Sequence, residues 1–166
     1  TSDVPATQRQ IPGFNFYKNR NNALSQQALV SLDTPLLNMG STETDIMGTF
    51  YSCINLTSIN EGLFTKNLQV IKFTSCFAGC RKMTPVPEKL FEKNIKAEDF
   101  SSCFNTCKSL TTIPKLLFAA NTNAKAFTSC FSFSALTEVP AGLFENNTKV
   151  VQFNLCFNSC ESLTTI

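Results

Sequence analysis

Apolar and polar positions alternate along this chain in a pattern that returns every 26 to 27 residues from residue 46 onward. In these columns, leucine recurs at one position of the repeated unit and phenylalanine recurs at three. The main apolar columns are Leu63, Leu90, Leu117 and Leu143; Phe64, Phe91, Phe118 and Phe144; Phe73, Phe100, Phe127 and Phe153; and Phe50, Phe77, Phe104, Phe131 and Phe157. A unit of this length cannot bury its apolar side alone, so we expect stacked units that share one continuous core.

The three phenylalanine columns hold thirteen of the sixteen phenylalanines. The aromatic content therefore belongs to the repeat, and we expect it to form a spine rather than a separate pocket. A further column consists of Asn67, Asn94, Asn121 and Asn147. Because it recurs at a turn, we interpret it as an internal ladder that satisfies backbone groups rather than as a set of ligand amides.

Each unit predicts a short strand, a short helix and a bend. Leu110-Thr-Thr-Ile113 is rich in β-branched residues and is closed by Pro114, which is typical of a strand. Pro114 also suits the first position of a helix that would end at Asn121. Strands of successive units would stack in parallel about 4.8 Å apart. The predicted fold class is α/β, a solenoid of short parallel strands and short helices with 26–27-residue repeats.

The N-terminal part of the chain divides in two. Residues 1–22 are polar and rich in Gln and Asn, and they predict an arm or linker. Residues 23–45 carry leucines 27 positions before those of the next unit, which indicates a degenerate capping repeat. Residues 23–166 are therefore expected to form a single repeat domain, with regular repeats over 46–166 and an incomplete last one.

The repeated line resembles a known family. Phe77-Ala-Gly-Cys80-Arg-Lys-Met83, Phe104-Asn-Thr-Cys107-Lys-Ser-Leu110 and Phe157-Asn-Ser-Cys160-Glu-Ser-Leu163 are similar to the BspA-type leucine-rich repeat, in its longer class found in bacterial surface proteins. The resemblance covers about residues 46–166. It implies a leucine-rich-repeat fold, a cell-surface or secreted location, and a role in adhesion and protein binding.

Charge and hydropathy narrow the set of partners. Only 16% of the residues are charged and the net charge is +2, too little to indicate a nucleic-acid or anionic-membrane partner. Lysine and arginine do not persist in one column, as a groove that follows phosphates would require. No stretch approaches the roughly 18 apolar residues of a transmembrane helix.

Eight cysteines fall into two incomplete columns: Cys76, Cys103, Cys130 and Cys156, and then Cys53, Cys80, Cys107 and Cys160. Two interpretations stay open. The cysteines are small buried apolar side chains, or some of them form disulfides between neighbouring repeats, since the stacking distance would permit it. A metal site is not expected, because the Cys-x-x-x-Cys spacing departs from the structural-zinc pattern and the chain has no histidine.

No enzymatic activity and no cofactor are predicted. A Ser/His/acid triad needs histidine, a cysteine nucleophile would lack its usual histidine base, and no glycine-rich phosphate loop is present. The predicted function is instead a surface or secreted module that binds a protein or a glycan through exposed scaffold positions. The expected interaction surface comprises the strand positions Ser58, Thr112, Glu138 and Thr165, with Glu92, Lys93 and Glu145 behind them.

A second hypothesis makes the chain a structural subunit of a surface layer or a virion. In that case the repeats build length and the polar arm docks to neighbours. The sequence Leu163-Thr-Thr-Ile166 predicts a strand without a polar cap, and such an open strand could mediate self-association.

Overall fold

The computed structural model describes residues 27–36 and 44–165. Two strands, β1 (Ser31–Leu32) and β2 (Ser58–Ile59), pair in parallel, with Ser31 opposite Ser58. Single parallel bridges extend the same relation along the chain: Asp45 to Lys72, Lys72 to Asp99, Asp99 to Ala126, Ala126 to Gln152, and Glu138 to Thr165. Residues one repeat apart are thus paired in register. The predicted arm at 1–22 and the last residue of the predicted open strand lie outside the described residues.

Most contacts between repeats come from one stretch of each unit, which we call the turn segment: residues 46–52, 73–79, 100–106, 127–133 and 153–159. In the first four of these segments, every second amide donates a hydrogen bond to a carbonyl of the next repeat. Phe100, Ser102, Phe104 and Thr106 donate in this way over 2.8–2.9 Å. The intervening amides close turns within the segment, as Cys103 does onto the Phe100 carbonyl at 3.1 Å. This alternation satisfies the backbone without a long strand.

The core is built from the phenylalanine columns, as the sequence predicts. Phe77, Phe104 and Phe131 stack face to face, with ring centroids 5.6 and 5.5 Å apart. Phe91 and Phe118 form a parallel column at 5.9 Å, and rings of neighbouring columns meet edge to face. These geometries suit the ring quadrupole and add to the free energy gained by burying the rings. The expected aromatic spine is therefore confirmed in the described residues.

The asparagine column forms the internal ladder that its position suggests. The Asn121 amide donates to the backbone carbonyls of Phe91 at 3.1 Å and of Asn94 at 2.9 Å, both in the preceding repeat. The amides of Asn94 and Asn147 make the equivalent pair of bonds, and all three side chains are buried. Each asparagine thus ties its own turn to the turn before it.

The expected short helices are not found in the described residues. From Pro114 to Asn121 the amides bond three residues back, as Leu117 does onto Pro114 and Asn121 onto Phe118, so the segment is a run of turns. A helix this short gains little from its own hydrogen bonds, and contacts with neighbouring repeats decide the conformation. The strands are also shorter than predicted. Asn60 donates to the Leu32 carbonyl at 2.6 Å, whereas the equivalent residues Pro87, Pro114 and Pro140 have no amide hydrogen to donate.

Candidate functional site

The strand positions predicted to form the interaction surface are Ser58, Thr112, Glu138 and Thr165, which we call the strand column. All four are exposed. Ser58 lies in β2 and Glu138 is bridged to Thr165. Ser58, Glu138 and Thr165 thus lie on backbone that is paired with a neighbouring repeat.

A column of threonines supports the strand column from the adjacent position. Thr57, Thr137 and Thr164 donate hydroxyl hydrogen bonds to carbonyls one repeat earlier, at 3.0, 3.3 and 3.1 Å. Thr84 and Thr111 occupy the same place in the two intervening repeats. Threonine recurs at every one of these positions, so the column is visible in the sequence. The apolar columns alone do not reveal it. These hydroxyls join neighbouring repeats and so belong to the scaffold.

The other three expected surface residues lie in the turns that follow the strand positions. Glu92, Lys93 and Glu145 are exposed, and Lys93 Nζ lies 3.6 Å from Glu92 Oε2. An ion pair this exposed contributes little to stability. In the described part of the chain, no hydrogen bond or ion pair joins these residues to the strand column.

The cysteine columns are buried, and all eight cysteines are free thiols. Cys80, Cys107 and Cys160 direct their Sγ atoms to the backbone carbonyls of Phe50, Phe77 and Phe131 at 3.1, 3.4 and 3.2 Å. Where a repeat lacks a cysteine, a hydroxyl takes its place: Thr49 donates to the Ile46 carbonyl and Ser134 to the Phe131 carbonyl. Both columns are therefore occupied by small, buried side chains that can donate a hydrogen bond.

Burial also suppresses the reactivity of these thiols. Desolvation raises the pKa of Cys107 to about 12, and it raises the pKa of Cys76, Cys103 and Cys130 well above the ordinary value. The thiolate is the nucleophile and the metal ligand, so a raised pKa works against both roles. Across residues 27–36 and 44–165, no group of three His, Cys, Asp or Glu side chains is placed to hold a metal ion.

Two exposed apolar residues depart from columns that are otherwise small. Phe133 and Leu155 stand where the other repeats have glycine, serine or threonine, and both have positive φ. The sequence contains this signal only as a break in a column of small residues, and a search for conserved apolar positions overlooks it.

No helix within the described ranges has the length and apolar character needed to cross a membrane. Comparison of the chain with protein-family models, curated proteins and solved structures finds no match.

Proposed function

We propose that the chain is a non-enzymatic module of the BspA-like leucine-rich-repeat kind, an α/β solenoid displayed on a bacterial surface or secreted. It binds a protein or a glycan through the strand column and so serves adhesion. The observation that carries this proposal is the strand column itself, whose four side chains are exposed and in which Ser58, Glu138 and Thr165 lie on paired backbone.

The chemistry of the interior supports a binding role over a catalytic one. The strongest candidate nucleophiles are cysteines, and those whose pKa is raised are buried away from any substrate. The chain has no histidine to activate them. The exposed surface, in contrast, offers hydroxyls and isolated charges that suit recognition.

Binding to a glycan array and to a panel of purified cell-surface proteins tests the proposal. The test variant carries Thr112→Glu and Glu138→Lys in the strand column. A matched control carries Lys82→Glu and Glu161→Lys, at exposed residues outside the expected interaction surface. We expect the unchanged protein and the control to bind a ligand with equal affinity. The test variant should bind the same ligand about tenfold more weakly. Equal binding by all three proteins, or no ligand in either panel, would contradict the proposal.

The alternative proposal is a structural subunit of a surface layer or a virion. It is favoured by Phe133, an apolar side chain of an inner repeat that is 44% exposed. Light scattering separates the two functions, because a subunit forms ordered oligomers without added ligand and a binding module stays monomeric.

A further inference from the structure

Phe133 departs from the residue types found elsewhere in its column. The last residue of each turn segment has positive φ, and in the other four segments that residue is Ser52, Gly79, Thr106 or Ser159. Phe133 adopts the same conformation, with φ of 60°. A bulky side chain is unfavourable there, because its Cβ crowds the following carbonyl oxygen. Burial offsets only part of this cost, since Phe133 is 44% exposed.

The chain is also one residue short just after Phe133. Phe131 stands five positions before Leu136, whereas the equivalent residues of the preceding repeat are six positions apart. In the other repeats two residues form an outer turn at this place, namely 54–55, 81–82, 108–109 and 161–162. Residues 134–136 form no such turn. The row of outer turns is therefore interrupted beside Phe133, and we call the space between 108–109 and 161–162 the Phe133 gap.

The Phe133 gap has an aromatic side chain at its base. Its borders belong to the two repeats on either side of the shortened one, so twice the spacing of paired strands gives a width of about 10 Å. The Nζ atom of Lys108, at one border, lies 5.6 Å from the centroid of the Phe133 ring. A cation at this distance is attracted to the negative face of the ring and helps to hold it in place. The ring does not close the gap, because much of it remains exposed.

Amide and hydroxyl groups lie beside Phe133 in both adjacent repeats. Thr106 is one repeat earlier, and its hydroxyl donates to Asn105 Oδ1 at 2.6 Å. Ser159 is one repeat later, and its hydroxyl accepts from Asn158 Nδ2 at 3.1 Å. An amide and a hydroxyl together have more donors and acceptors than one such bond uses. The surroundings of the aromatic ring are therefore polar and uncharged on both sides along the stack.

We infer that the Phe133 gap binds one neutral sugar ring of a glycan. A sugar ring has an apolar face of C–H groups, which packs on the exposed aromatic ring and is attracted to the negative face of its quadrupole. The hydroxyls at the edge of the sugar bond to the amides and hydroxyls on either side, which replace bonds to water. Phe133 does not belong to the strand column, so the inference stands whether or not that column binds a ligand.

A protein partner and a second copy of this chain fit the gap less well. Either would need further apolar contacts around Phe133, because the aromatic anchor of a protein interface is surrounded by groups that exclude water. The adjacent repeats instead place Asn105, Thr106, Asn158 and Ser159 at the neighbouring positions. A ligand with one apolar face and a polar edge matches this arrangement. The conformational cost at Phe133 is also consistent with a binding role, since strained residues cluster at functional sites.

Titration of the full chain with neutral hexasaccharides tests the inference. The probes are hexasaccharides of glucose, mannose, galactose and N-acetylglucosamine, added separately and followed by NMR. We expect at least one of them to shift the amide signals of Thr106, Phe133 and Ser159, with a dissociation constant on the order of 1 mM. Such weak binding is expected of a site that holds a single sugar ring.

Variants of the aromatic side chain give the matched comparison. Phe133→Gly should weaken binding of that hexasaccharide at least about tenfold. The variant should still fold, because Gly79 occupies the same position with φ of 77°. Phe133→Tyr keeps the aromatic face and should bind within about twofold of the unchanged protein. Leu116→Ser removes an exposed leucine elsewhere and should bind equally, as should the strand-column variant with Thr112→Glu and Glu138→Lys.

Three results would overturn the inference. None of the four hexasaccharides shifts the three amide signals, or Phe133→Gly binds as tightly as the unchanged protein while the strand-column variant does not. Alternatively, light scattering finds oligomers of the unchanged protein that Phe133→Gly dissociates, which would assign the aromatic ring to assembly.

Discussion

At the scale of single residues, buried polar groups do most to hold the repeats in register. Asn121 donates both hydrogens of its amide to carbonyls of the preceding repeat. Its Oδ1 atom is buried and has no hydrogen-bond partner among the described residues, as is also true of Asn94 and Asn147. The unmatched acceptor offsets part of the gain, so each asparagine specifies the register more than it adds to stability.

Replacing Asn121 with alanine tests this assignment. We expect the free energy of unfolding to fall by about 1–3 kcal/mol, because two buried hydrogen bonds are lost while an unmatched oxygen is removed. The control is Asn146→Ala at an exposed neighbour, which should change it by no more than about 0.5 kcal/mol. Urea denaturation measures both variants. Equal effects would contradict a structural role for the asparagine column.

The buried thiols make stability depend on alkaline pH. In the folded chain the pKa of Cys107 is about 12, whereas the pKa of an unfolded cysteine is about 8.5. The unfolded state therefore releases protons first, and stability that is complete below about pH 8.5 is lost as the pH rises towards 12. We expect the midpoint of urea unfolding to fall over this window.

Cys107→Ser isolates the contribution of one thiol, since the hydroxyl of Ser134 shows that such a donor fits the column. The free energy of unfolding of this variant should fall less steeply with pH than that of the unchanged protein. The two slopes should differ by up to about 1.4 kcal/mol per pH unit. Lysine and tyrosine titrations are common to both proteins and cancel in the comparison. Parallel curves would show that the thiol is not held protonated by burial.

At the scale of the repeated element, the turn segment and the phenylalanine column are one structure. Phe104 donates its amide to the Cys130 carbonyl at 2.9 Å, and its ring stacks between Phe77 and Phe131. The backbone bond sets the distance between repeats, and that distance suits parallel rings. In the last repeat Phe157 still stacks on Phe131 at 5.6 Å, whereas in the neighbouring column Phe153 meets Phe127 edge to face at 6.1 Å.

Matched substitutions along the columns should show this difference. Phe104→Leu, in the middle of the stack, is expected to lower the free energy of unfolding by about 1–3 kcal/mol through lost packing. Phe153→Leu, at a partly exposed ring, should cost less than about 1 kcal/mol. Thermal and urea denaturation compare the two variants. A larger loss for Phe153 would contradict the described packing.

The period, the aromatic columns and the asparagine ladder could be predicted from the sequence because each depends on a residue type that recurs at one position. The conformation from Pro114 to Asn121 could not, since the helical preference of so few residues is weak and contacts with adjacent repeats outweigh it. Serine at left-handed positions such as Ser102 also gives no warning, because glycine is the usual sign of positive φ.

At the scale of the whole molecule, constant columns and variable columns have separate roles. The constant columns bury phenylalanine, leucine, cysteine and asparagine and join each repeat to the next. The variable positions of the strand column, such as Ser58, Thr112 and Glu138, are exposed. Hydrogen bonds between repeats run both ways: the turn-segment amides donate to the following repeat, whereas Asn121 and Thr57 donate to the preceding one.

The stacking of the repeats depends on the register of the turn segments, and NMR scalar couplings across hydrogen bonds test that register most directly. The amide nitrogen of Phe77 should couple to the carbonyl carbon of Cys103, and that of Phe104 to the carbonyl carbon of Cys130. Couplings of these amides to carbonyls at any other spacing, or rapid hydrogen exchange at both amides, would contradict the stacked arrangement.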